Sequence, residues 1–469
     1  MRFELNGENV HIDTVDPHVT LLEWLRGSGF TGSKEGCAEG ECGACAVALL
    51  RRGLDGEPRY DAVNSCLVPL PSVDGQSVWT VEGVAEPSGA LHPVQQAMVD
   101  RGGSQCGYCT PGFVVSLFCE FYRPGRDGYD PEAISGNLCR CTGYRPIADV
   151  LHALPEVDPA DGRQPKRKLA VVESSGIEHS SGGRRFLRPK TLEQLFEVRA
   201  RAAESVLIAG GTDLMVYANQ RYERWQTLIS LEAVAELRTI DVTDSEFVVG
   251  AGVPLAELEL FCHAHGEELS LLVQLLPLFS SRLIRNRATL GGNLGTASPI
   301  GDSPPALLAL GAQVSLVSAA GVRRMPLADF FLGYRKTALA ADELILSVHV
   351  PRPTPRIQRF YKVSKRVMDD ISTVAGAFAL DLDAAGRIER LHAAFGGIAA
   401  TPLRATALEA LARGRSWSVE TLDVLLDALR GFGTPMTDHR GTAAYRAAMP
   451  GKLLAKFFSE TRSSAEAAE

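Results

Sequence analysis

The first 80 or so residues combine the alternating pattern of β-strands with one short helical stretch. Polar and apolar side chains alternate on both sides of the turn Asn6-Gly7-Glu8, which predicts a hairpin. Residues 19–26 (VTLLEWLR) have helical spacing and are followed by Gly27, a residue typical of helix ends. The segments with strand character are residues 2–5, 10–12, 46–50 and 77–84.

From about residue 89 the pattern becomes helical. Helices are predicted at residues 92–101, 110–122, 131–136 and 145–154. Pro111 falls at the start of the second of these, where proline suits a helix. These segments predict a second, all-α domain.

The rest of the chain is predicted to be a linker followed by α/β structure. Residues 157–185 are rich in Pro, Gly, Ser and charged side chains and lack periodicity, so we interpret them as a surface linker. From Phe186 strand and helix patterns follow one another, with strands predicted at residues 205–209, 247–250 and 314–317 and helices at residues 191–203, 255–265 and 304–310. The last segment, from about residue 356, also mixes strands and helices.

Composition narrows the class of protein. The chain has 469 residues, with 48 Lys and Arg against 56 Asp and Glu, a net charge of −8, which disfavours a polyanion-binding protein. No apolar stretch reaches the roughly 18 residues of a membrane span, and the first residues lack the apolar core of a signal peptide. We therefore expect a cytoplasmic protein that binds neither nucleic acid nor membrane.

The ten cysteines are unevenly distributed, and nine of them lie between Cys37 and Cys141. In a reducing compartment such a cluster favours metal ligation or thiol chemistry over disulfides.

The first cysteine group is Cys37-x4-Cys42-x2-Cys45, with Cys66 twenty-one residues further on. This is the plant-type spacing for a [2Fe–2S] cluster. Glycines 32, 36, 40 and 43 allow the backbone to pass close to an inorganic core. Four cysteines also suit tetrahedral zinc, although a zinc ribbon more often has two Cys-x2-Cys knuckles. The spacing favours iron and sulfur over zinc.

The second group is Cys106-x2-Cys109 with Cys139-x-Cys141, two pairs placed near predicted helix ends. Taken alone it is compatible with zinc or with a cluster, and a neighbouring plant-type motif favours a second cluster.

Two cysteines remain outside these two groups. Cys119 is predicted to be a core thiol, and Cys262 to lie on a helix surface rather than in a metal site with His263 and His265.

Two glycine-rich turns stand out in the α/β region. The first follows the strand 205–209 with Gly210-Gly211-Thr212-Asp213-Leu214, which suits either a pyrophosphate or an ordinary strand-to-helix turn. The second, residues 289–302 (TLGGNLGTASPIGD), is long and rich in small residues, as expected where a large ligand lies against the backbone. Neither is a P-loop, which disfavours nucleotide hydrolysis. Together they suggest one extended dinucleotide.

These residues carry a resemblance to the xanthine dehydrogenase/molybdenum hydroxylase family. It rests on CAEGECGACAV, SQCGYCTPGF, GNLCRCTGYRPI, AGGTDLM and TLGGNLGTASPIGD and covers nearly the whole chain. The resemblance implies a multidomain α+β fold with five segments. These are a β-grasp ferredoxin-like domain (1–82), a four-helix second [2Fe-2S] domain (83–156), a linker (157–185), a two-part α/β FAD-binding domain (186–352) and a C-terminal α/β domain (356–460).

The resemblance also implies roles for individual residues. One cluster is assigned to Cys37, Cys42, Cys45 and Cys66, and the other, nearest the molybdenum centre, to Cys106, Cys109, Cys139 and Cys141. The residues matched to FAD contacts are Leu207, Ile208, Ala209, Gly210, Gly211, Thr212, Asp213, Leu214, Phe279, Thr289, Leu290, Gly291, Gly292, Asn293, Asp302, Ile345 and Lys362. The segment 365–370, with Arg366 and Asp369, resembles a loop on the NAD side of the flavin, although Val367 and Met368 replace charges common in animal members.

The function implied is that of an electron-transfer subunit. Electrons from a molybdenum cofactor (molybdopterin) on a partner chain would pass through two [2Fe-2S] clusters to FAD and then to NAD+, in the oxidation of hypoxanthine or xanthine to urate. No acid–base catalytic residue is assigned to this chain, and a heterodimer or a dimer of heterodimers is expected. The alternatives are the same relay acting on an aldehyde or another N-heterocycle and, in a different class, a zinc-binding scaffold protein.

Overall fold

The computed structural model describes residues 1–14, 16–86, 88–125, 127–168, 176, 178–202 and 204–466. The chain forms two compact units, one of residues 1–235 with 281–288, and the other of residues 236–280 with 289–469. The five-segment division predicted from the sequence is finer than this and stays a prediction. Among the described residues no helix combines the length and the apolar character needed to cross a membrane.

The first unit begins with a five-stranded mixed sheet. Its strands lie in the spatial order Glu8–His11, Arg2–Leu5, Ser77–Trp79, Ala46–Arg52 and Pro58–Asn64, and only Arg2–Leu5 and Ser77–Trp79 pair in parallel. The helix Leu21–Gly27 is closed at its start by a capping box between Thr20 and Glu23. This is the arrangement predicted for the first 82 residues, with a helix on one face of a small sheet.

The strand Ala46–Arg52 begins with five consecutive apolar residues, 46–50, and the packing of this part of the strand explains the pattern. Val47 and Leu49 face the core that contains Leu21 and Leu25. Ala46, Ala48 and Leu50 face the opposite way, into a core shared with the helices that follow. Because both faces are covered, alternation is absent, and the alanines let a helix approach closely.

The helical part contains the α-helices Pro93–Asp100, Thr110–Phe121 and Tyr144–Ala153 and the 3₁₀ helix Pro131–Ile134. These lie close to the four helices predicted from the sequence. Ten of the twelve residues of Thr110–Phe121 are buried, because this helix packs against the sheet as well as against its own neighbours.

The predicted linker, residues 157–185, contains more secondary structure than its composition suggested. It includes the short helix Pro165–Lys168 and the strand Glu178–Ser181, which pairs with Arg184–Leu187; residues 169–175 and 177 of this segment lie outside the described part. Gly182 and Gly183 both have positive φ angles, 58° and 78°, the geometry of a two-residue hairpin turn. The Gly-Gly pair is a signal for such a hairpin, but the charged residues around it are typical of a linker.

The first unit closes with a four-stranded sheet in the order Glu178–Ser181, Arg184–Leu187, Thr227–Ser230 and Val206–Ile208. The helices Leu192–Ala200 and Leu214–Gln220 accompany it, and the short helix Arg282–Arg285 belongs to the same unit.

The second unit contains two antiparallel sheets and a two-stranded ribbon. The first sheet has the order Ile240–Val242, Glu246–Gly250, Leu344–Pro351, Gln313–Ser318 and Gly321–Pro326, and the ribbon pairs Phe331–Gly333 with Lys336–Thr337. Its helices are Leu255–Ala264, Ser270–Leu275, Leu290–Gly295 and Ser303–Ala309. The second sheet has the order Ile357–Val363, Val374–Leu382, Ile388–Gly396 and Leu403–Arg404, with helices Thr406–Ala412, Val419–Ala428 and Ala443–Glu466.

Candidate functional site

The pairing of two neighbouring strands brings Cys66 close to Cys45, although the two cysteines are twenty-one residues apart in the sequence. Cys45 directly precedes the strand Ala46–Arg52, and Cys66 follows the strand Pro58–Asn64 by two residues. Ala46 pairs with Asn64, so the two cysteines meet at one end of the sheet. The Ser65 hydroxyl donates to the Cys45 carbonyl at 2.6 Å, and both thiols are buried. The antiparallel pairing therefore brings the distant fourth cysteine to the loop of the other three.

The thiols of this site are arranged in two pairs, Cys37 with Cys42 and Cys45 with Cys66. A hydrogen bond from Cys42 lowers the pKa of Cys37 to about 5, against the cost of burial, and backbone N–H groups of residues 39, 41 and 42 add to the effect. Amides aimed at a sulfur stabilise a thiolate, which is the form that binds iron. Within the pair Cys42 keeps the proton, because its hydrogen bond with Cys37 and burial raise its pKa, so the fit to thiolate ligands rests on the backbone amides around Cys37.

The glycines of the loop leave room for close approach. Gly40 and Gly43 have φ angles of 86° and 64°. A Cβ atom on Gly36 would lie 2.7 Å from the Cys42 sulfur, and one on Gly43 would lie 2.4 Å from the side chain of Asn137. A residue larger than glycine would fill the space around the sulfurs or push away the neighbouring loop.

The second cysteine group is assembled by two helix starts. Cys106 and Cys109 lead into the helix Thr110–Phe121, and Cys139 and Cys141 lie on the turn before Tyr144–Ala153. The thiols pair as Cys106 with Cys141 and Cys109 with Cys139.

Backbone groups hold this second turn. The Gly143 N–H donates to the Cys139 sulfur at 3.3 Å, and the Cys139 N–H donates to the Tyr144 hydroxyl at 2.8 Å. Cys139 is buried, whereas Cys106 and Cys141 are exposed. The second group therefore has one buried side and one side open to the surface.

The two cysteine loops are in direct contact. The Leu138 N–H donates to the Cys42 carbonyl at 3.0 Å, and Leu138 is bonded to Cys139. The Asn137 side chain donates to the Gly43 carbonyl at 3.2 Å and accepts from the Ser116 hydroxyl at 2.7 Å. Sequence reasoning missed Asn137, whose place beside a cysteine turn was the available signal.

The pairing of thiols matches a two-iron cluster, in which each iron takes two thiolates and two bridging sulfides. In the part of the chain that the structure describes, no three His, Cys, Asp or Glu side chains surround a position for a single metal ion. Cys119 is a buried thiol, as predicted. Cys262 is buried as well and not on a helix surface, since its helix packs into the second unit; burial raises the pKa of both thiols.

The first glycine turn lies in the first unit between Val206–Ile208 and Leu214–Gln220. Gly211 has a φ angle of 80°, and a Cβ atom on Gly210 would lie 1.9 Å from the carbonyl oxygen of Arg287. The Arg287 guanidinium donates from Nε to the Gly210 carbonyl at 2.9 Å. Both glycines are therefore required by geometry. The residues 207–214, predicted to contact FAD, form the end of the strand, the turn and the start of the helix, and the two glycines let the backbone of residues 67 and 287 pass close to the turn.

The second glycine turn lies in the second unit and is partly helical, not an open loop. Thr289 caps the helix Leu290–Gly295 by accepting from the Gly292 N–H at 3.0 Å. A Cβ atom on Gly291 would lie 2.5 Å from that of Ala251, which explains the small residues. Asn293 accepts a hydrogen bond from Ser303.

A buried ion pair joins three of the predicted flavin segments of the second unit. Lys362 donates to Asp302 at 2.9 Å and to the Leu278 carbonyl at 2.7 Å, next to Phe279. Ser372 donates to the other oxygen of Asp302 at 2.5 Å. Burial raises the pKa of Asp302, and the Lys362 charge opposes this rise. Ile345 is buried in the strand Leu344–Pro351.

The segment 365–370 is a turn at the surface of the second unit. The Arg366 N–H donates to Asp370 at 2.8 Å, its guanidinium donates to the Asp369 carbonyl at 2.7 Å, and Asp369 has a φ angle of 48°. Val367 and Met368 are exposed. The turn is held by its own charged residues, while its apolar tip faces outward.

Four domain families match the chain in succession. They are a 2Fe-2S iron-sulfur cluster binding domain at residues 3–70, a [2Fe-2S] binding domain at 80–152, an FAD binding domain in molybdopterin dehydrogenase at 180–353 and a CO dehydrogenase flavoprotein C-terminal domain at 359–461.

Similar proteins are xanthine dehydrogenases. Those of Emericella nidulans and Arabidopsis thaliana (xanthine dehydrogenase 1) are each 32% identical, over 100% and 88% of this chain and 39% and 36% of their own lengths. The chain thus spans about two fifths of the length of the curated relatives it matches.

Solved structures give a similar picture. Carbon monoxide dehydrogenase from Hydrogenophaga pseudoflava, in a form that lacks the Mo-pyranopterin moiety of its cofactor, is 27% identical with a TM-score of 0.54, over 58% of this chain and 94% of that one. Quinoline 2-oxidoreductase from Pseudomonas putida 86, at 24% identity and a TM-score of 0.55 over 60% of this chain and 97% of that one, shares the fold.

Proposed function

The chain belongs to the molybdenum hydroxylase family and has the architecture of its small subunit, and we propose that it is the electron-transfer subunit of a xanthine dehydrogenase. It would receive electrons from a molybdenum cofactor on a partner chain during the oxidation of hypoxanthine or xanthine. The observation that carries this proposal is the contact between the two cysteine loops, in which the Leu138 N–H donates to the Cys42 carbonyl.

The chain's own residues would place and shield the cofactors. Cys37, Cys42, Cys45 and Cys66 would hold one cluster, and the other four paired cysteines the second. When bound, the clusters supply one-electron carriers and FAD supplies a two-electron store that can give hydride to NAD+. The backbone amides around Cys37 would favour the charged thiolate, and the buried side of the first site would exclude water.

The exposure of the cysteines supports an order in which electrons pass through the two cluster sites. Cys106 and Cys141 are exposed in this chain, so the second site is the one that a partner chain can approach closely. At the first site no cysteine is fully exposed, since Cys45 and Cys66 are buried and Cys37 and Cys42 are half-buried, so this site is less accessible to a partner chain. We therefore place the second cluster next to the partner's molybdenum centre and the first cluster between it and FAD.

The proposal also names a substrate and a final electron acceptor. The xanthine dehydrogenase relatives favour a purine and NAD+, with Arg366 and Asp369 on the NAD side of the flavin. The carbon monoxide dehydrogenase and quinoline 2-oxidoreductase structures share the fold, so the second candidate is the same relay for another substrate. A turnover screen of the chain with its co-purified partner, using xanthine, aldehydes and N-heterocycles with NAD+, separates these candidates.

The substitution Cys106→Ser in the complete complex tests the relay order. The flavin should stay reducible by NADH, because that path does not use the second cluster, whereas its reduction by xanthine should be lost. The matched control is Cys119→Ala, which removes a buried thiol outside both sites without placing a hydroxyl in the core, and it should leave both reactions in place. Equal loss of both reactions in the Cys106 variant would contradict the order.

The visible spectrum of the purified chain tests the class of protein. Flavin and iron–sulfur absorption bands are expected. A colourless chain with four-coordinate zinc would support the scaffold alternative and refute the relay.

A further inference from the structure

The segment Ser281–Ala288 belongs to the first unit, although the residues on both sides of it belong to the second. We propose that this segment is a positioning element that holds the two cluster loops and the first flavin loop in fixed relation to one another. The inference rests on the proposed function, since it assigns clusters and FAD to those loops.

The segment touches one glycine in each of the three loops. A Cβ atom on Gly136, three residues before Cys139, would lie 2.7 Å from Ser281. One on Gly40, between Cys37 and Cys42, would lie 2.9 Å from the Ile284 side chain. One on Gly210, in the flavin loop, would lie 1.9 Å from the Arg287 carbonyl. At Gly136 and Gly210 the segment itself leaves no space for a side chain, and at Gly40 its Ile284 adds to the restriction set by Leu67 and by a positive φ angle.

Charged groups anchor the segment to the helical part of the unit. Arg282 donates to Asp130 at 2.7 Å and to Glu132 at 3.2 Å. Arg285 is fully buried and pairs with Glu132. A buried guanidinium is stable only where its charge and its N–H groups are satisfied, so these pairs determine where the segment can lie.

Further bonds anchor the segment to the ferredoxin-like sheet and to the flavin half of the unit. The Asn286 side chain donates to the Ala62 carbonyl at 2.8 Å, and its own carbonyl accepts from Arg51. Arg287, also buried, donates to Glu232 at 3.3 and 3.2 Å in addition to its bond with Gly210. Each of the three parts of the unit therefore contributes partners to the same eight residues.

The apolar side chains of the segment also pack against different parts of the first unit. Leu283 is part of the core formed by the helical part and one face of the sheet. Ile284 packs against the core that contains Cys45 and Cys66. A displacement of the segment would be transmitted to both cluster loops, because packed interiors accommodate little movement.

The test compares changes at the two ends of the segment. Glu132→Gln alters the anchor in the helical part. The double substitution of Arg287→Met with Glu232→Gln removes the flavin-side anchor without leaving a buried charge unpaired. Glu178→Gln is the matched control, since Glu178 forms an exposed ion pair with Arg185 in the same unit.

Each full-length variant would be reconstituted with ferrous iron, sulfide and FAD. Two quantities would be measured, the dissociation constant for FAD and the magnetic splitting between the two reduced clusters in the EPR spectrum. The splitting depends steeply on the distance between the clusters, and a loss of stability alone does not change it in the folded fraction.

The double variant should bind FAD roughly tenfold more weakly, the effect of losing one charged hydrogen bond to the flavin loop. It should also change the splitting, although neither substituted residue lies in a cluster loop. Glu132→Gln should change the splitting and weaken FAD binding by a few-fold, although Glu132 lies outside the flavin half. The control should change neither quantity.

The inference is overturned if each variant changes only the site in its own part of the unit, or if the double variant binds FAD like the parent chain. Should the double variant fail to fold, Arg287→Lys replaces it and keeps the charge near Glu232 but not the paired geometry. Should Glu132→Gln fail to fold, Asp130→Asn replaces it and keeps the helix cap but not the charge. A parent chain that binds no FAD and forms no clusters would instead refute the proposed function.

Discussion

The two cysteine sites have the same number of thiols but different surroundings. In the first site backbone amides surround Cys37, and two of the four thiols are almost completely buried. In the second site Cys106 and Cys141 are exposed, and a backbone N–H group of residue 108 is directed at the Cys106 sulfur. Ligand spacing defines the metal centre, and its surroundings define which partner can reach it.

The difference follows from where each loop lies in the fold. The first loop joins a helix to a strand that is buried on both faces, so it is enclosed by its own sheet and by the helical part. The second site is made by two helix starts, with Cys139 in the core and Cys106 and Cys141 at the surface. The comparison predicts that changes at the first site affect folding, whereas changes at the second affect mainly the cofactor.

The largest effect is expected from Cys66→Ser, compared with Cys141→Ser. Each substitution should remove one cluster and about half of the iron. The Cys66 variant should also unfold at a temperature several degrees lower, because it places a hydroxyl in an apolar core. Iron content, EPR spectra and thermal unfolding of the chain measure these effects. Equal loss of stability in both variants would contradict the predicted difference between the two sites.

Glycine substitution is expected to have the next largest effect. Gly43→Ala forces a side chain into a φ angle of 64° and against Asn137, at a cost of about 3 kcal/mol in the free energy of unfolding. Gly107→Ala in the second site also has a positive φ angle, 81°, but no atom lies within 4 Å of its Cβ position, so about 1 kcal/mol is expected. Urea unfolding gives both values. A Gly107 variant as unstable as the Gly43 variant would contradict the prediction.

Acid should destabilise the helical part through His92. Burial, with a smaller contribution from Arg163, lowers the pKa of His92 to about 4. Its Nδ1 accepts from the Val94 N–H at 3.2 Å, a bond that protonation would break.

Between pH 6.5 and 4 the unfolded chain binds this proton and the folded chain does not. Stability should therefore fall as the pH falls through this range, by up to about 3 kcal/mol. His92→Asn keeps a helix-capping side chain and does not titrate. The free energy of unfolding of this variant should therefore fall less steeply between pH 6.5 and 4 than that of the parent chain. Parallel slopes for the parent and the variant in urea unfolding would refute the assignment.

The smallest effect is expected at the contact between the two sites. Ser116→Ala removes the hydrogen bond to the Asn137 side chain, which is worth about 1 kcal/mol, while Asn137 keeps its bond to the Gly43 carbonyl. Ser104→Ala is the control, because Ser104 is exposed and its hydroxyl shares a hydrogen bond of 2.8 Å with the hydroxyl of Thr110 at the surface. Urea unfolding should separate the two variants, and identical stabilities would show that the contact contributes little.

Much of this protein could be predicted from local patterns in the sequence. The spacing of Cys37, Cys42 and Cys45 indicates a cluster loop because neighbouring ligands must come from one turn of chain. The helix Thr110–Phe121 was recognisable from its apolar residues and from Pro111. These features depend on interactions between residues close in sequence, and such interactions leave a regular pattern.

Other features were not readable in this way. The hairpin at Gly182 and Gly183 was hidden by charged neighbours, and the burial of Cys262 depends on what its helix packs against. The segment Ser281–Ala288 has no motif of its own, since its importance comes from partners that are far away in the sequence.

The sequence by itself indicated which cysteines can bind iron and where helices such as Thr110–Phe121 form, because ligand chemistry and backbone periodicity are local properties. Only the tertiary structure decided which thiols pair, which of the two sites is exposed, and that Arg287 bonds to Gly210. These depend on strand register and on close packing between distant segments, where a contact is determined by three-dimensional fit and not by the spacing of residues along the chain.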